Sequence, residues 1–549
     1  MNSAGTSSRT TGPLQISDVG PRFGSTKLAA GAPHIRAFCE CVGVCAIRAA
    51  LILAVLSALL LIAARPAQAQ SGPYGVVSPT TMNFRGAVGQ TSPSQLVSLK
   101  NTGDSELTVS NISISGDFAI SKNQCANGVK PGTHCNVYVT FTPPGPGTET
   151  GTLTFVDNAS NSPQFVSLTG TIGEIVLHNF TGGSDGADPW SNLTFDAVGN
   201  LYGTTAGGGA FGAGTVFELS PNGVGGWNNT VLYGFTGGVD GGNPLYDSDV
   251  IFDRAGNLYG ITYSGGATGN GVVYELSPVG ASWTESVLYS FCSQPDCADG
   301  GGPVNSLIMD SAGNLYGTTC YGANGGIVFK LSPSGGGWTE QVIYSVGYPA
   351  GYAGLTMDAA GNIFGASWFE VYELSPNGSG SWTSAVIHGF AGGPKDGTSA
   401  LGTPVLDKAG NLYGTTQYGG TNNAGTVYKL RPITKGKKKG EWIESVLHSF
   451  ESNGKDGNGP WGGVVFDAAG NIYGTTPGGG QYGDGTVYEL AAKVGKGYEE
   501  QILWSFNSAD GLNPFGTLIL DSAGNLYGTA TFGGAHFYDW YGVVFEVTP

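Results

Sequence analysis

Six carboxylates recur in one local context. Asp185, Asp240, Asp299, Asp456 and Asp510 each open an Asp-Gly-x-x-Pro segment ending at Pro189, Pro244, Pro303, Pro460 and Pro514, and Asp396-Gly397 keeps the first two residues of it. Carboxylates gathered beside Gly-rich loops could hold a cation or the hydroxyls of a polyhydroxylated ligand. Asp-Gly is also an ordinary turn dipeptide, which gives the same residues a purely structural reading. Two stretches place aromatic rings near a carboxylate: Ala366-Ser367-Trp368-Phe369-Glu370 and His536-Phe537-Tyr538-Asp539-Trp540-Tyr541. Rings beside a polar groove suit stacking on sugars. The competing reading is that Trp368 fills the gap left by a short loop and that the second group packs the end of the fold. A further set, Asp196, Asp253, Asp310, Asp358, Asp407, Asp467 and Asp521, opens the turn Asp-x-x-Gly-Asn. Each of these turns offers one carboxylate, whereas Ca²⁺ takes roughly six to eight oxygens. They therefore read as hairpin turns in which Asp accepts backbone N–H groups two or three residues on. No His-Glu-x-x-His or phosphate loop is present, and the one Gly-x-Ser-x-Gly string, Gly182-Gly183-Ser184-Asp185-Gly186, falls in an Asp-Gly turn with no helical pattern after it. Ca²⁺ is thus the one cofactor the pattern suggests, and no catalytic residue stands out.

The elements that must position these groups repeat. Gly-Asn-Leu/Ile-Tyr/Phe-Gly occurs with its Asn at Asn200, Asn257, Asn314, Asn362, Asn411, Asn471 and Asn525. A period of this size with β-type residues signals stacked supersecondary units. In the unit around Asn314 the runs Leu307–Asp310, Leu315–Thr319, Ile327–Leu331 and Trp338–Ser345 are short, β-branched or aromatic, and bounded by Gly, Pro, Asn and Asp. No segment carries a helical apolar period. Each unit reads as a four-stranded antiparallel meander, and seven of them predict a seven-bladed β-propeller over 174–549. The run Glu174–Phe180 matches the fourth strand of a unit, while the chain ends after a third strand, Val543–Val547. Pairing the two would complete the last blade and leave no long open edge. In such a blade the Asp-Gly loops enter the innermost strands, so the six Asp would ring one mouth of the channel. Trp227, Trp283, Trp338, Trp382 and Trp442 recur at the start of fourth strands and read as packing. His178, His388 and His448 stand where other units have Tyr and share that scaffold reading.

Composition sets the compartment. Gly is 95 of 549 residues and only 11% are charged, against roughly a quarter in average proteins; the excess glycine falls in the repeat turns. An apolar run over 49–64, flanked by Arg48 and Arg65 and followed by Ala67-Gln68-Ala69, reads as a signal peptide cleaved after Ala69. It is shorter than the roughly 20 residues of a spanning helix, and an uncleaved anchor is the other reading. Residues 1–69 carry six Lys and Arg against two Asp and Glu, so their removal takes the net charge from −17 to −21. That argues against nucleic acid or anionic membrane as partner. Cys125 with Cys135 and Cys292 with Cys297 look like small-loop disulfides of an oxidising compartment. Cys320 is left over as a buried thiol.

Residues 73–172 alternate at period two with turns every eight to twelve positions, the spacing of an all-β sandwich. Val77-Ser78-Pro79, Phe84, Leu99-Lys100-Asn101-Thr102-Gly103, Cys125, Pro131-Gly132-Thr133-His134-Cys135 and Phe141-Thr142-Pro143 resemble immunoglobulin-like domains of the ASPM/SPD-2/Hydin (choice-of-anchor D) type. That resemblance implies a spacer or adhesion module. The later repeats, with Asp-x-Ala-Gly-Asn-Leu-Tyr-Gly-Thr-Thr, Gly-Thr-Val-Phe-Glu-Leu-Ser-Pro and Leu-Tyr-Ser-Phe, resemble the GloVer tandem repeat of bacterial choice-of-anchor proteins. The resemblance brings no established activity. The sequence alone therefore points to an exported, non-enzymatic binding or adhesion protein, secreted, periplasmic or at the cell surface, with carbohydrate or another surface protein as partner. A propeller hydrolase or lyase acting on carbohydrate or lactone is the alternative, and a structural envelope protein the third reading.

Overall fold

The computed structural model describes residues 71–549 apart from 87–90, 93, 144–147, 224–225, 281, 348–351, 494, 496 and 536–539. The leader, its apolar run, His536 and Asp539 lie outside the described residues. The described residues are all-β, and none forms a helix long and apolar enough to cross a membrane.

Eight strands between residues 75 and 172 form two four-stranded sheets. One pairs Gly75–Ser78, Gln95–Asn101, His134–Phe141 and Phe118–Asn123 in that order. The other pairs Thr81–Gly86, Gln164–Ile172, Thr148–Asp157 and Val109–Ile114. Period-two alternation turns Val97, Leu99, Val137 and Val139 of the first sheet and Leu153, Phe155, Val166 and Leu168 of the second into one core. The Asn-Thr-Gly strand end is held by buried Asn101. Its Nδ2 donates to the carbonyls of Ser105 and Val129 (2.8 and 2.9 Å), and its Oδ1 accepts from the Gly103 amide (3.0 Å). Cys125 and Cys135 are disulfide-bonded, as are Cys292 and Cys297. Cys320 is a free thiol, half-buried rather than fully enclosed.

Each later repeat forms one four-stranded antiparallel sheet. Among the described residues there are seven, spanning 194–234, 251–290, 301–347, 355–389, 405–449, 465–505 and, for the seventh, 519–547 together with Glu174–Asn179; they are numbered 1 to 7 here. In sheet 7 the strand Val543–Val547 pairs antiparallel with Glu174–Asn179, as the strand-type match between the two ends of the repeat region anticipates.

The repeated residues each have a mechanical task. The closing Gly of the pentapeptide sits in the second strand, directly opposite an aromatic residue of the third. Gly203 faces Phe217, Gly260 Tyr274, Gly317 Phe329, Gly365 Tyr372, Gly414 Tyr428, Gly474 Tyr488 and Gly528 Phe545. The ring lies over the glycine, and a Cβ there would collide with it. All seven rings are fully buried. The first Thr after that Gly ties one sheet to the next: the hydroxyls of Thr204, Thr318, Thr415, Thr475 and Thr529 donate to the carbonyls of Ser248, Ala353, Gly462, Gly516 and Ser191 at 2.7 to 3.5 Å. The last of these joins sheet 7 to the segment entering sheet 1. The recurrent tryptophans pack between sheets, as Trp227 does on Tyr527 and Trp382 on Tyr316.

The Asp-x-x-Gly-Asn turn is held more fully than expected. Asp407 accepts from the amides of Ala409 and Asn411 (2.8 and 2.9 Å), from Asn411 Nδ2 (2.6 Å) and from the Tyr413 hydroxyl (3.2 Å). The bonds run two and four residues on, rather than two or three, because the intervening Gly410 amide donates to the Asp407 main-chain carbonyl instead (3.0 Å). D407A should lose about 1–3 kcal/mol of stability by urea titration, the cost of stranding hydrogen-bonding groups. D358A should lose less, because Phe364 stands where the other turns have the Tyr hydroxyl. Equal losses would show that the phenol contributes nothing.

Candidate functional site

The structure distributes the six Asp-Gly aspartates over six sheet-to-sheet junctions and turns each one inward. A junction has three parts: the residue two before the end of an outer strand's Phe motif, the Asp of the next entering loop, and a residue of the next sheet's outer strand. Tyr233, Asp240 and Glu285 form one; Tyr289, Asp299 and Glu340 another. Asp240 accepts from the Tyr233 hydroxyl (3.1 Å), the Thr236 amide (2.9 Å) and the Thr236 hydroxyl. Asp299 accepts from Tyr289 (2.8 Å), from the amide and hydroxyl of Ser293 (2.8 and 2.7 Å) and from the Gln294 amide (3.2 Å). Asp510 is bonded by the amide and side chain of Asn507 and lies beside Glu174. Three junctions carry histidine. His178 lies 3.3 Å from Asp185 and His448 3.3 Å from Asp456, while His388 lies 3.6 Å from Asp396. Asn229 completes the first, Glu444 and Glu500 the other two. Asp240, Asp299, Asp456 and Asp510 are buried. The six carboxylates thus serve their own loops and the neighbouring sheet, and do not make one open acidic surface.

Burial sets their charge. It pushes the Asp240 and Asp299 carboxyls up, but their combined hydrogen bonds outweigh it and hold both below the ordinary carboxylate range. In the facing glutamates Glu174, Glu285 and Glu340 the buried Oε1 has no donor. Burial first, and the neighbouring aspartate second, lift Glu285 and Glu340 to about 7 and Glu174 well above its usual value.

A different group of residues converges where the first strands begin. The rings of Trp190, Tyr246, Tyr352, Trp461 and Phe515 form a closed circuit of contacts. Centroid distances are 5.7 Å from Trp190 to Tyr246, 5.0 Å to Tyr352, 6.1 Å to Trp461, 5.5 Å to Phe515 and 4.5 Å back to Trp190, the last pair stacked at 14°. All five are half-buried, so they meet one another and still present surface. Five separate repeats supply them, each at the segment entering its sheet. Beneath Tyr246 lie two acids without charge partners. Asp247 is 2% exposed, its amide bonds the Trp190 carbonyl (2.9 Å), and its Oδ1 has no hydrogen-bond partner. Asp249 Oδ1 is likewise unpartnered. Burial raises Asp249 to about 7 and lifts Asp247 well above its ordinary value, the Asp249 charge adding to the second. Tyr246 and Asp247 hold φ of 57° and 60°, a left-handed backbone costly for such residues and common where function demands it.

The rings proposed from sequence lie elsewhere. Trp368 is half-buried with its indole N–H unpartnered, and its carbonyl accepts the Ser399 amide. Trp540 is 45% exposed. Neither belongs to the circuit. The circuit did have a signal: Trp190, Trp461 and Phe515 directly follow the Pro of Asp-Gly-x-x-Pro. Tyr246 sits one residue further on, and Tyr352 follows a loop lacking the motif, so the equivalence is hidden until the strands are aligned in space.

Comparison with known proteins accords with the repeats. A model of the Gloeobacter/Verrucomicrobia repeat matches residues 147–370 and 368–549, and one of the HYDIN/CFA65/VesB-like Ig-like domain matches 76–171. No curated protein matches the chain. Among solved structures it is similar to the extracellular domain of a protein assigned as a hybrid two-component system of B. thetaiotaomicron (12% identity, TM-score 0.41, 72% of this chain and 44% of that one). The chain therefore spans less than half of that relative's length. It is also similar to virginiamycin B lyase of Staphylococcus aureus (13%, TM-score 0.39, 68% and 98%) and to a gluconolactonase of Xanthomonas campestris (13%, TM-score 0.31, 55% and 85%).

Proposed function

We propose that this chain, which belongs to the Gloeobacter/Verrucomicrobia repeat family, is an exported binding protein whose seven repeat sheets are the blades of a closed β-propeller and whose aromatic circuit takes a carbohydrate. The circuit carries the reading: five half-buried rings, brought together from five repeats, flank unpartnered buried carboxyls that can meet hydroxyls. Apolar sugar faces pack on such rings, and a few polar groups then fix orientation. The pairing of Val543–Val547 with Glu174–Asn179 and the Thr529–Ser191 bond support closure. Export is supported by two disulfides. The immunoglobulin-like sandwich would then act as the spacer, with the domain limits at 73–172 and 174–549.

A glycan array followed by calorimetry on the purified protein tests this. W190A and W461A should each weaken the best glycan about tenfold, the upper end of what one ring contact contributes. Unchanged affinity in both variants, or no glycan bound by the parent, would sink the carbohydrate reading. The raised pKa values of Asp247 and Asp249 favour hydrolase or lyase chemistry as the second reading, since perturbed carboxyls mark acid–base sites. Turnover of a bound glycan or lactone that D249N abolishes would replace binding with catalysis.

A further inference from the structure

The six junctions differ in one chemically decisive way. Where the outer-strand residue is Tyr, its hydroxyl donates to the loop Asp, as Tyr233 does to Asp240 and Tyr289 to Asp299. At two adjacent junctions it is His, and the imidazole makes no hydrogen bond through Nε2. His388, Asp396 and Glu444 bring one ligand atom each within 4.8 Å of one another, and so do His448, Asp456 and Glu500. The Nε2 atoms of His388 and His448 and the Oε1 atoms of Glu444 and Glu500 are all buried and without a hydrogen-bond partner. The backbone amides of Ala391 and Gly397 fix the Asp396 carboxylate at 2.6 and 2.7 Å, and those of Glu451 and Gly457 fix Asp456 at 2.8 and 2.6 Å. One ligand is therefore held rigidly from behind while the other two face it with spare lone pairs. No Lys or Arg ion pair to these carboxylates exists among the described residues.

We infer that these two junctions are paired binding sites for a borderline divalent transition metal, Zn²⁺ above all. One neutral imidazole and two carboxylates form a ligand set suited to Zn²⁺ rather than to Ca²⁺ or Mg²⁺, which take oxygen alone. Tetrahedral bonds of about 2.0–2.1 Å put ligand atoms roughly 3.3–3.4 Å apart. The His–Asp separations of 3.3 and 3.6 Å lie near that edge already. Side-chain exposures of 19% and 16% at His388 and Asp396, and of 18% and 10% at His448 and Asp456, leave a route for the ion and a water. The third histidine junction is a built-in control. Asn229 replaces the glutamate beside His178 and Asp185 and donates Nδ2 to the imidazole at 3.2 Å, which leaves that nitrogen occupied. A metal at the two complete triads would clip sheet 4's outer strand to sheet 5 and sheet 5's to sheet 6, where like charges otherwise meet.

The test is Zn²⁺ itself, added to chelator-stripped full-length protein in equilibrium dialysis with elemental analysis, and Co²⁺ as a spectroscopic reporter. The wild type should hold two ions per chain, H388Y and H448Y one each, and the double variant none. Tyrosine is native to the equivalent junctions, so these variants have a foldable precedent. E444N and E500N copy the Asn229 junction and should repeat the result. Since changes behind a ligand alone cost about 10–100-fold in affinity, loss of a ligand should exceed that. Co²⁺ should give the intense visible bands of low coordination number in the wild type, about half as strong in each single variant and absent from the double variant. A wild type that takes up no Zn²⁺ at micromolar concentration overturns the inference. So does a folded double variant that keeps both ions.

Discussion

F545A should destabilise the repeat region as much as F329A, by about 3–5 kcal/mol each in guanidinium titration. The two rings are equivalent: each is fully buried, opposite the strand glycine of its own sheet. They differ in position, since Phe329 lies within the row of sheets and Phe545 in the sheet assembled from both ends of the repeat region. In an open row of repeats the terminal unit frays and contributes little. In a closed ring it has neighbours on both sides and must cost the same as any other. A markedly smaller effect for F545A would therefore refute closure even if the fold survived. Deleting residues 543–549 is the harsher form of the same experiment. Val543, Val544, Phe545 and Val547 are all at 0% exposure, and at about 1.5–3 kcal/mol per side chain their loss amounts to roughly 6–12 kcal/mol. That rivals the whole stability of an ordinary domain, about 5–15 kcal/mol. The deletion also removes the only sheet partner of Glu174–Asn179 among the described residues. The expected outcome is loss of the cooperative transition, not a lowered midpoint.

The repeat sheets were legible in the residues because every repeated position has a local reason. Asp407 and Asn411 make their turn from within five residues. Gly414 is dictated by the ring that lies across it in the neighbouring strand of the same hairpin. Even the joining of Glu174–Asn179 to Val543–Val547 could be read, since a fourth strand without its first three has one place to go. Local reasons of this kind survive without any knowledge of how one sheet faces the next.

The candidate site depends on that missing knowledge. Asp299 looks like an open acidic residue in the sequence, yet its carboxylate is closed by Ser293, Gln294 and Tyr289. Glu340, which faces it, lies in the outer strand of the sheet that its loop enters, three strands further along the chain. Nothing in the spacing of Glu340 relative to Asp299 announces that meeting. The aromatic circuit fails to announce itself for the same reason: Trp190 and Phe515 stack at 4.5 Å although most of the repeat region separates them in the chain. Histidines 388 and 448, taken as substitutes for tyrosine in the scaffold, do occupy the tyrosine's place. What changes is the partner they meet there.

The Glu–Asp junctions also predict how stability follows pH, measured in chelator so that no ion occupies the histidine triads. Glu174, Glu285 and Glu340 have folded-state pKa values raised above their unfolded ones, to about 7 for the last two. A group of that kind stabilises the fold fully below its unfolded value, near 4.5, and loses that contribution as pH rises through the folded one. Asp253, Asp310 and Asp407 go the other way. Burial raises them, but their turn hydrogen bonds outweigh it and leave them below 3.8. Their contribution is present above the unfolded value and disappears as pH falls through the lowered one. The thermal midpoint should therefore climb as pH drops from 8 to 5 and fall again below about 4. E285Q/E340Q should flatten the climb, since a glutamine is neutral at every pH and its amide can donate to Asp240 and Asp299. The variant should exceed the wild type at pH 8 and match it at pH 5. A midpoint that falls steadily from pH 8 to 5, or a climb that the double substitution leaves intact, would mean that the glutamates titrate normally and that each junction holds two charges rather than one.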